Sequence, residues 1–386
     1  MNTATLTSEL QAAWHRTDDL FGRLRDLDQR PIALRHPFLF YVGHLPAFAW
    51  NQLAVAALGR PPTGPLDDLF AFGIDPESVD DVDAEASFPP VHEVWAYRDR
   101  IRADLLGMLG ELADRDHVLC TRGRAARLVL EHELMHHETL LYMVQMSGLA
   151  LYDDLPEGGD GVPTRQIDVP EGHVTLGADF DAVDFGWDNE FPPRTVHVPA
   201  FRIDTHAVRN SDWQAFVAAG GPVPVTWVDD HVRSCCGPVP FETARGWPVQ
   251  VSQAQARAYA DWRGRRLPTE AELARVRHEP EGANVDLRHH LPKPVGHAPD
   301  SPSGINETVG NGWEHTDTVW ARHEGFHPWI DTYAGYSADF FDGQHRVVAG
   351  GSWATAARFL RPSFRNWYRQ DYPYVFSKFR TVARDR

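Results

Sequence analysis

The chain has 386 residues, of which 42% are hydrophobic and 24% are charged. This length and composition suffice for two folded domains and exclude a protein that is mainly disordered. The 37 lysines and arginines stand against 54 aspartates and glutamates, which gives a formal net charge of −17 at pH 7. Because so acidic a chain repels phosphate groups, the sequence disfavours nucleic acids and anionic membranes as partners.

Cysteine content and apolar runs bear on the cellular compartment. The chain has three cysteines, Cys120 and the adjacent pair Cys235 and Cys236, which are too few for a disulfide framework and suit a reducing compartment. The first ten residues have neither the basic start nor the apolar stretch of a secretion signal, and no apolar run approaches the ~20 residues that a membrane span needs. We therefore expect a soluble cytoplasmic protein.

Residues 1–152 are predicted to form a helical bundle. Apolar residues recur at helical spacing over residues 7–27, 95–112 and 125–146, so each of these stretches predicts a helix. Residues 59–90 are rich in Pro, Asp and Gly and are predicted to form a long loop. Four antiparallel helices would account for this domain.

A change in composition after Tyr152 predicts a domain boundary. Residues 153–166 begin with an acidic stretch rich in Gly and Pro, which indicates a linker. Residues 167–386 are predicted to form a second, loop-rich domain with short strands, so the expected fold class is α+β. The elements predicted after the boundary are strands at residues 165–169, 195–203 and 346–348, and helices at residues 210–219 and 252–263 with Ser211 and Ser252 as caps.

A histidine cluster in the third predicted helix indicates a metal site. His132 and His136 are four residues apart and share one helix face, whereas His137 is turned away by about 100°. A third ligand would come from His36 or His44, and three neutral imidazoles suit Fe(II), Zn(II) or Cu(II). A solvated helix face is the structural alternative. The stretch HELMH also satisfies the HExxH pattern of zinc peptidases, with the Glu after His132 as general base.

Motifs in the second half of the chain identify a family. Residues 187–204, 248–273, 309–316 and 347–368 resemble the formylglycine-generating-enzyme-like domain, which is related to C-type lectins. With a helical domain in front, the whole chain resembles the ergothioneine-type sulfoxide synthase superfamily. That resemblance implies a DinB-like four-helix bundle, Fe(II) as cofactor and O2 as co-substrate, and the joining of a thiol-like donor to the imidazole carbon of hercynine. It makes His44 the third iron ligand beside His132 and His136, with Glu138 orienting the rings.

Some positions depart from relatives that use γ-glutamylcysteine. Those relatives carry an Arg upstream of the segment matching Tyr97 and Arg98, and an Asp after the RNW motif, where this chain has residues 85–90 (EASFPP) and Tyr368. The resemblance therefore implies a donor with fewer charges, in character closest to selenoneine synthases, which couple a selenosugar to hercynine. The alternatives are ergothioneine-type coupling with γ-glutamylcysteine or cysteine, in which Arg365 or Arg369 replaces the lost clamp, and ovothiol-type coupling of histidine with cysteine.

The same resemblance implies the residues that bind substrate. Aromatic rings favour a trimethylammonium group through cation–π contact, and the segment after Arg365 forms the hercynine pocket in relatives. The expected substrate-binding residues are Asn366, Trp367, Tyr368 and Met135, of which Met135 replaces a hercynine-contacting Gln. The catalytic tyrosine of the family falls in a variable loop, and Tyr333 and Tyr336 are the candidates for it.

Overall fold

The first unit of the computed structural model is helical. The structure describes residues 3–71, 87–279 and 281–384, and the chain forms two compact units. The first comprises Met1–Met143 together with Val183–Phe185 and Trp329–Tyr333. Its helices are α1 (Thr3–Arg23), α2 (Phe38–Ala49), a π-helix (Trp50–Ala57) that continues α2, α3 (Pro65–Leu69), α4 (Val91–Met108) and α5 (Arg124–Ser147), with 3-10 turns at Leu109–Asp114 and Thr121–Gly123.

Helix α2 forms the interior of this unit. Each residue from Phe38 to Ala49 is buried, as expected for a helix that is apolar on all sides, and α2 packs against α4. The helices predicted at residues 7–27, 95–112 and 125–146 are confirmed as α1, α4 and α5. Helix α1 begins and ends four residues earlier than predicted, and α4 begins four residues earlier and ends in a 3-10 turn. The predicted loop at residues 59–90 contains α3, and residues 72–86 lie outside the described residues.

The second unit comprises Val144–Ala182, Gly186–Pro328 and Ala334–Arg386 and is built from short strands. The strands are β1 (Gln166–Val169), β2 (Gly172–Leu176), β3 (Arg194–Val198), β4 (Phe201–Asp204), β5 (Trp227–Val228), β6 (His231–Val232), β7 (Val239–Pro240), β8 (Arg265–Arg266), β9 (Trp313–Val319), β10 (His345–Ala349), β11 (Asn366–Arg369), β12 (Ser377–Lys378) and β13 (Val382–Ala383). The helices are α6 (Asn210–Ala218), α7 (Phe241–Ala244), α8 (Gln253–Trp262), α9 (Glu270–Val276) and α10 (Gly335–Ala338), with 3-10 turns at Asp188–Glu190 and Ala357–Leu360.

Two four-stranded sheets organise the second unit. One has the order β1-β4-β13-β8, and the other has the order β11-β10-β9-β12, in which β12 pairs parallel with β9. A hairpin of β2 and β3 and a small sheet of β5, β6 and β7 complete the described strands. The expected α+β fold class, with a helical N-terminal domain and a loop-rich C-terminal domain, is confirmed.

The two predicted helix caps have different outcomes. Ser252 caps α8 as predicted, because its hydroxyl accepts a hydrogen bond from the Gln255 N–H. The prediction for Ser211 is wrong, because α6 begins at Asn210 and its N-cap is Arg209, whose N–H donates to the Asp212 carboxylate at 3.1 Å. Asp212 thus supplies the reciprocal contact of a capping box, from the third helical residue back to the N-cap N–H, and no side chain caps the first turn.

Helix α8 and its neighbour α6 enclose an aromatic core. Trp213 and Tyr259 stack with ring centroids 5.4 Å apart, and Phe379 meets Tyr259 edge to face at 5.5 Å. All three rings are buried, so Trp packing accounts for much of the order in a unit with little regular structure. Among the described residues, none of the helices combines the length and the apolar character that crossing a membrane requires.

Candidate metal centre

Three buried histidines converge in the first unit. Helix α2 carries His44, and α5 carries His132 and His136 one turn apart on one face. One ring nitrogen from each residue lies within 4.8 Å of those of the other two. His36 stacks on Phe40 instead, with ring centroids 4.1 Å apart. The structure therefore brings His44, rather than His36, to the two histidines of α5.

A backbone carbonyl fixes the ring of His44. Its Nδ1 lies 2.8 Å from the Phe70 carbonyl oxygen, and because a carbonyl only accepts, Nδ1 carries the proton. The lone pair of the ring is then on Nε2, which is buried and has no hydrogen-bond partner among the described residues. A metal-binding histidine has this arrangement, in which the second nitrogen donates to a carbonyl and orients the ring.

The two histidines of α5 meet through their Nε2 atoms. These atoms are 3.2 Å apart, which is the separation expected for two nitrogens that each lie about 2.1 Å from one ion. The ring of His132 is covered by Phe48, which stacks on it at 3.5 Å with an angle of 9° between the ring planes. Phe48 therefore fixes the orientation of His132 from its face, as the Phe70 carbonyl fixes His44 from its edge.

The electrostatics of the cluster favour neutral imidazoles. Burial lowers the pKa of His44 to about 4. Burial, together with the neighbouring histidines, lowers the pKa values of His132 and His136 well below the ordinary value. All three rings are consequently deprotonated at neutral pH and present lone pairs, which a divalent metal requires of its ligands.

A small helix positions the Phe70 carbonyl. Helix α3 ends at Leu69, and its Asp67 is buried and accepts hydrogen bonds from Thr63 Oγ1 at 2.8 Å and from the Tyr97 hydroxyl at 2.7 Å. Gly43 allows Phe70 to approach α2, because a Cβ at that position would lie 2.5 Å from three carbons of the Phe70 ring. The absence of a side chain next to His44 is therefore a condition for the carbonyl contact.

The remaining residues of the HELMH stretch lie off the cluster. His137 is buried, and its Nε2 lies 2.8 Å from Thr17 Oγ1. The Glu133 carboxylate accepts a hydrogen bond from the same hydroxyl at 2.5 Å and pairs with Arg102 at 3.2 Å. A zinc peptidase needs its glutamate beside the metal-bound water, whereas Glu133 is engaged within the bundle. The geometry thus disfavours the peptidase alternative.

The two candidate tyrosines fall in different units. Tyr333 belongs to the first unit, where its half-buried ring meets Phe48 edge to face at 5.3 Å. Tyr336 belongs to the second unit, where it stacks on Trp187 at 4.1 Å and is buried. Of the two, only Tyr333 lies in the unit that contains the histidine cluster. The Phe48 ring separates it from the ring of His132.

A third tyrosine, which was not predicted from the sequence, lies beside the histidine cluster. Tyr41 precedes His44 by three residues on α2, and its ring centroid lies 5.5 Å from that of His136 and 6.5 Å from that of His44. The spacing of three residues on a helix was the available signal, because such residues share a face. Met135, also predicted to bind substrate, lies between the two histidines of α5 and is half-buried.

The other predicted substrate residues lie on β11. Asn366 and Tyr368 are two residues apart and therefore share a face of the strand, with Asn366 Nδ2 3.4 Å from the Tyr368 hydroxyl. Tyr368 stacks in parallel with Tyr372 at 5.8 Å. Trp367 faces the opposite side and stacks on Trp320 at 4.1 Å. Asn366 and Tyr368 thus share a polar and aromatic face, while Trp367 contributes to packing.

Comparisons with known proteins match both parts of the chain. A family model described as DinB superfamily matches residues 9–140, and one described as sulfatase-modifying factor enzyme 1-like domain matches residues 158–278 and 277–385. The hercynine oxygenase of Mycolicibacterium smegmatis is 34% identical over 72% of this chain and 74% of its own length. The chain belongs to the superfamily of ergothioneine- and ovothiol-type sulfoxide synthases.

Other relatives show how far the likeness to this superfamily extends. Ergothioneine biosynthesis protein 1 of Neurospora crassa is 29% identical over 96% of this chain, but the match covers 57% of the fungal protein. The chain therefore spans little more than half the length of that relative. Among solved structures, PvdO from Pseudomonas aeruginosa has a TM-score of 0.41 at 21% identity, with 56% of this chain and 93% of PvdO covered.

The surroundings of two side chains in the second unit limit their chemistry. Arg365, one of two arginines considered as a replacement clamp for a charged donor, is buried over Trp320 and donates to the carbonyls of Asn189 and Ala321. Those contacts leave Arg369, which is half-buried, as the better placed of the two. The Cys236 thiol is a weak nucleophile, because burial raises its pKa to about 11.

Proposed function

We propose that this protein is an O2-dependent enzyme that couples the imidazole carbon of hercynine to the sulfur of a thiol donor. The observation that carries the proposal is the cluster of three buried, neutral histidines in a chain of this superfamily. Fe(II) fits the nitrogen donor set of His44, His132 and His136, and it would supply the one-electron chemistry by which dioxygen becomes reactive. Zn(II) fits the same nitrogens but lacks redox chemistry.

The residues of the chain have separate tasks in this proposal. His44, His132 and His136 hold the metal, and the Phe70 carbonyl and the Phe48 ring keep two of these ligands in orientation. Because the three ligands are neutral, the positive charge of the metal is not cancelled and remains available to anionic substrate groups.

Proton transfer and substrate binding are assigned to other side chains. Tyr333 is the proposed proton donor, because its ring contacts the Phe48 ring that stacks on His132, and a positioned phenol can act as a general acid. Asn366 and Tyr368 are proposed to bind hercynine, whose trimethylammonium group suits an aromatic face, and Met135 is proposed to border the same substrate.

A thiol is the proposed donor on the strength of the relatives. The relatives compared above are named for hercynine or for ergothioneine biosynthesis, which supports the sulfur alternative better than the selenium one. A selenosugar remains the second candidate, because Tyr368 stands where γ-glutamylcysteine-using relatives carry an Asp, and Arg365 is held by Glu270 and backbone carbonyls. A polyhydroxylated neutral donor needs only hydrogen bonds and an aromatic face, which tyrosines supply.

Product analysis tests the proposal. The protein is loaded anaerobically with Fe(II) or Zn(II), mixed with hercynine or histidine and with γ-glutamylcysteine, cysteine, a thiosugar or a selenosugar, and exposed to O2 before mass spectrometry. We expect turnover with Fe(II) only, hercynine preferred to histidine, and a sulfoxide product. Preferred use of the selenosugar would replace the sulfur proposal with the selenium one, and preferred use of histidine would indicate ovothiol-type chemistry.

Two matched variants separate the metal site from the rest of α5. His136→Ala should abolish both Fe(II) binding and turnover, whereas His137→Gln, an adjacent buried position outside the cluster, should retain both. Asn366→Ala should raise the KM for hercynine while Fe(II) binding is unchanged. Equal losses of metal from the His136 and His137 variants would show that the assigned helix face is wrong.

A further inference from the structure

A short segment from the second half of the chain forms part of the first unit. Trp329–Tyr333 belongs to that unit, and its Trp329 ring meets Phe185 edge to face at 5.8 Å. The Arg124 guanidinium lies 5.6 Å from the centroid of the Trp329 ring. The segment is therefore held at its beginning by an aromatic contact and a cation–π contact, and Tyr333 lies at its end.

A buried glutamine holds the end of this segment. Gln52 lies on the π-helix Trp50–Ala57 and is 4% exposed. Its Oε1 accepts a hydrogen bond of 2.6 Å from the Thr332 hydroxyl, one residue before Tyr333. A buried amide that lacks a partner costs free energy, so this contact accounts for the buried polar side chain of Gln52.

Helix α2 and the π-helix that continues it connect Gln52 to the histidine cluster. Gln52 follows Phe48 by four residues, and Phe48 stacks on the ring of His132 and meets the edge of the Tyr333 ring. The π-helix begins between these two positions, at Trp50, and π-helical turns occur frequently at functional sites. Successive turns of one element thus contact His132, Tyr333 and Thr332.

We propose that Gln52 is a positioning residue that, through Thr332, holds Tyr333 beside the histidine cluster. The role of Tyr333 in turnover rests on the proposed function, whereas the position of its ring does not. Thr332 is exposed, so water competes for its hydroxyl, and the hydrogen bond keeps the segment in place only while Gln52 offers its carbonyl.

Hydrogen exchange measures the positioning without turnover. In apoprotein and Fe(II)-loaded protein, Gln52→Met and Thr332→Val should each raise the exchange rates of the amides of Ile330–Tyr333 by about three- to tenfold, the range for one hydrogen bond. Thr332→Ser, which keeps the hydroxyl, should resemble the wild type. Gln145→Met removes a buried glutamine that bonds to Gln250 and should leave this peptide unchanged.

Kinetics then test whether Gln52 acts through the tyrosine. Gln52→Met and Thr332→Val should lower kcat by about tenfold with the Fe(II) affinity and the KM for hercynine unchanged, and neither should lower kcat further in a Tyr333→Phe background. Unchanged exchange in both single variants, or losses of kcat that add to that of Tyr333→Phe, would overturn the proposal. If the wild type does not turn over hercynine, the proposed function fails, and the exchange data alone decide the positioning.

Discussion

Replacement of Gly43 by alanine tests how His44, a proposed metal ligand, is oriented. The added Cβ would lie 2.5 Å from three ring carbons of Phe70, whereas carbon atoms in contact are about 3.5–4.0 Å apart. The Phe70 ring must therefore move by about 1 Å, and we expect its backbone carbonyl oxygen, now 2.8 Å from His44 Nδ1, to move with it beyond hydrogen-bonding distance. We predict that Gly43→Ala lowers the Fe(II) affinity by about 10- to 100-fold and the unfolding free energy of the apoprotein by about 1–3 kcal/mol.

Calorimetric titration under anaerobic conditions and urea unfolding of the apoprotein measure the two effects. Gly22→Ala is the matched control, because Gly22 also lies in a helix of the first unit and a Cβ there meets no atom within 4 Å. This control should keep the Fe(II) affinity and gain stability by up to about 1 kcal/mol. Adding Phe70→Leu to Gly43→Ala should restore part of the affinity. An Fe(II) affinity of wild-type strength in Gly43→Ala itself would refute the reasoning.

Three further predictions concern buried polar groups. His132→Ala should abolish Fe(II) binding, whereas His137→Ala should retain it and lose about 1–3 kcal/mol of stability, because Thr17 loses a partner; metal titration and urea unfolding distinguish the two. Glu133→Gln should lower the melting temperature but leave the Fe(II) affinity unchanged, and loss of the metal would revive a role for this carboxylate at the site. Burial raises the pKa of Asp188 to about 6, so the folded protein favours the protonated carboxyl. The contribution of this group to stability is therefore fully present below about pH 4 and is lost as the pH rises through 6. Asp188→Asn should therefore gain about 3 kcal/mol relative to the wild type between pH 4 and pH 7, and parallel pH profiles of unfolding would contradict this.

The part of the candidate site that the sequence predicts is local. His132 and His136 are four residues apart, so helical geometry alone places them together, and the resemblance to a family selected His44 over His36. The Phe70 carbonyl and Gln52 could not be found in this way. A carbonyl is present at every residue, and the pairing of Gln52 with Thr332 joins positions 280 residues apart.

The fold was predictable to a similar degree. The long amphipathic helices follow from apolar spacing, because burial of one face dominates their stability. The start of α6 was not, because the helix begins at Asn210 with Arg209 at the N-cap, a residue type that capping preferences do not favour. Tyr336 illustrates the same limit, since three residues separate it from Tyr333, yet its ring packs against Trp187 in the other unit.

The segments Val183–Phe185 and Trp329–Tyr333 make the helical unit discontinuous in sequence. A gene fragment that stops after Met143 would encode all three histidines but would lack the partners of Gln52 and Arg124, among them Thr332 and Trp329. Such a fragment would keep the proposed metal ligands but lack Tyr333, the proposed acid. The helical unit is therefore complete only when the segment Trp329–Tyr333, about 200 residues after α5 begins, is part of the same chain.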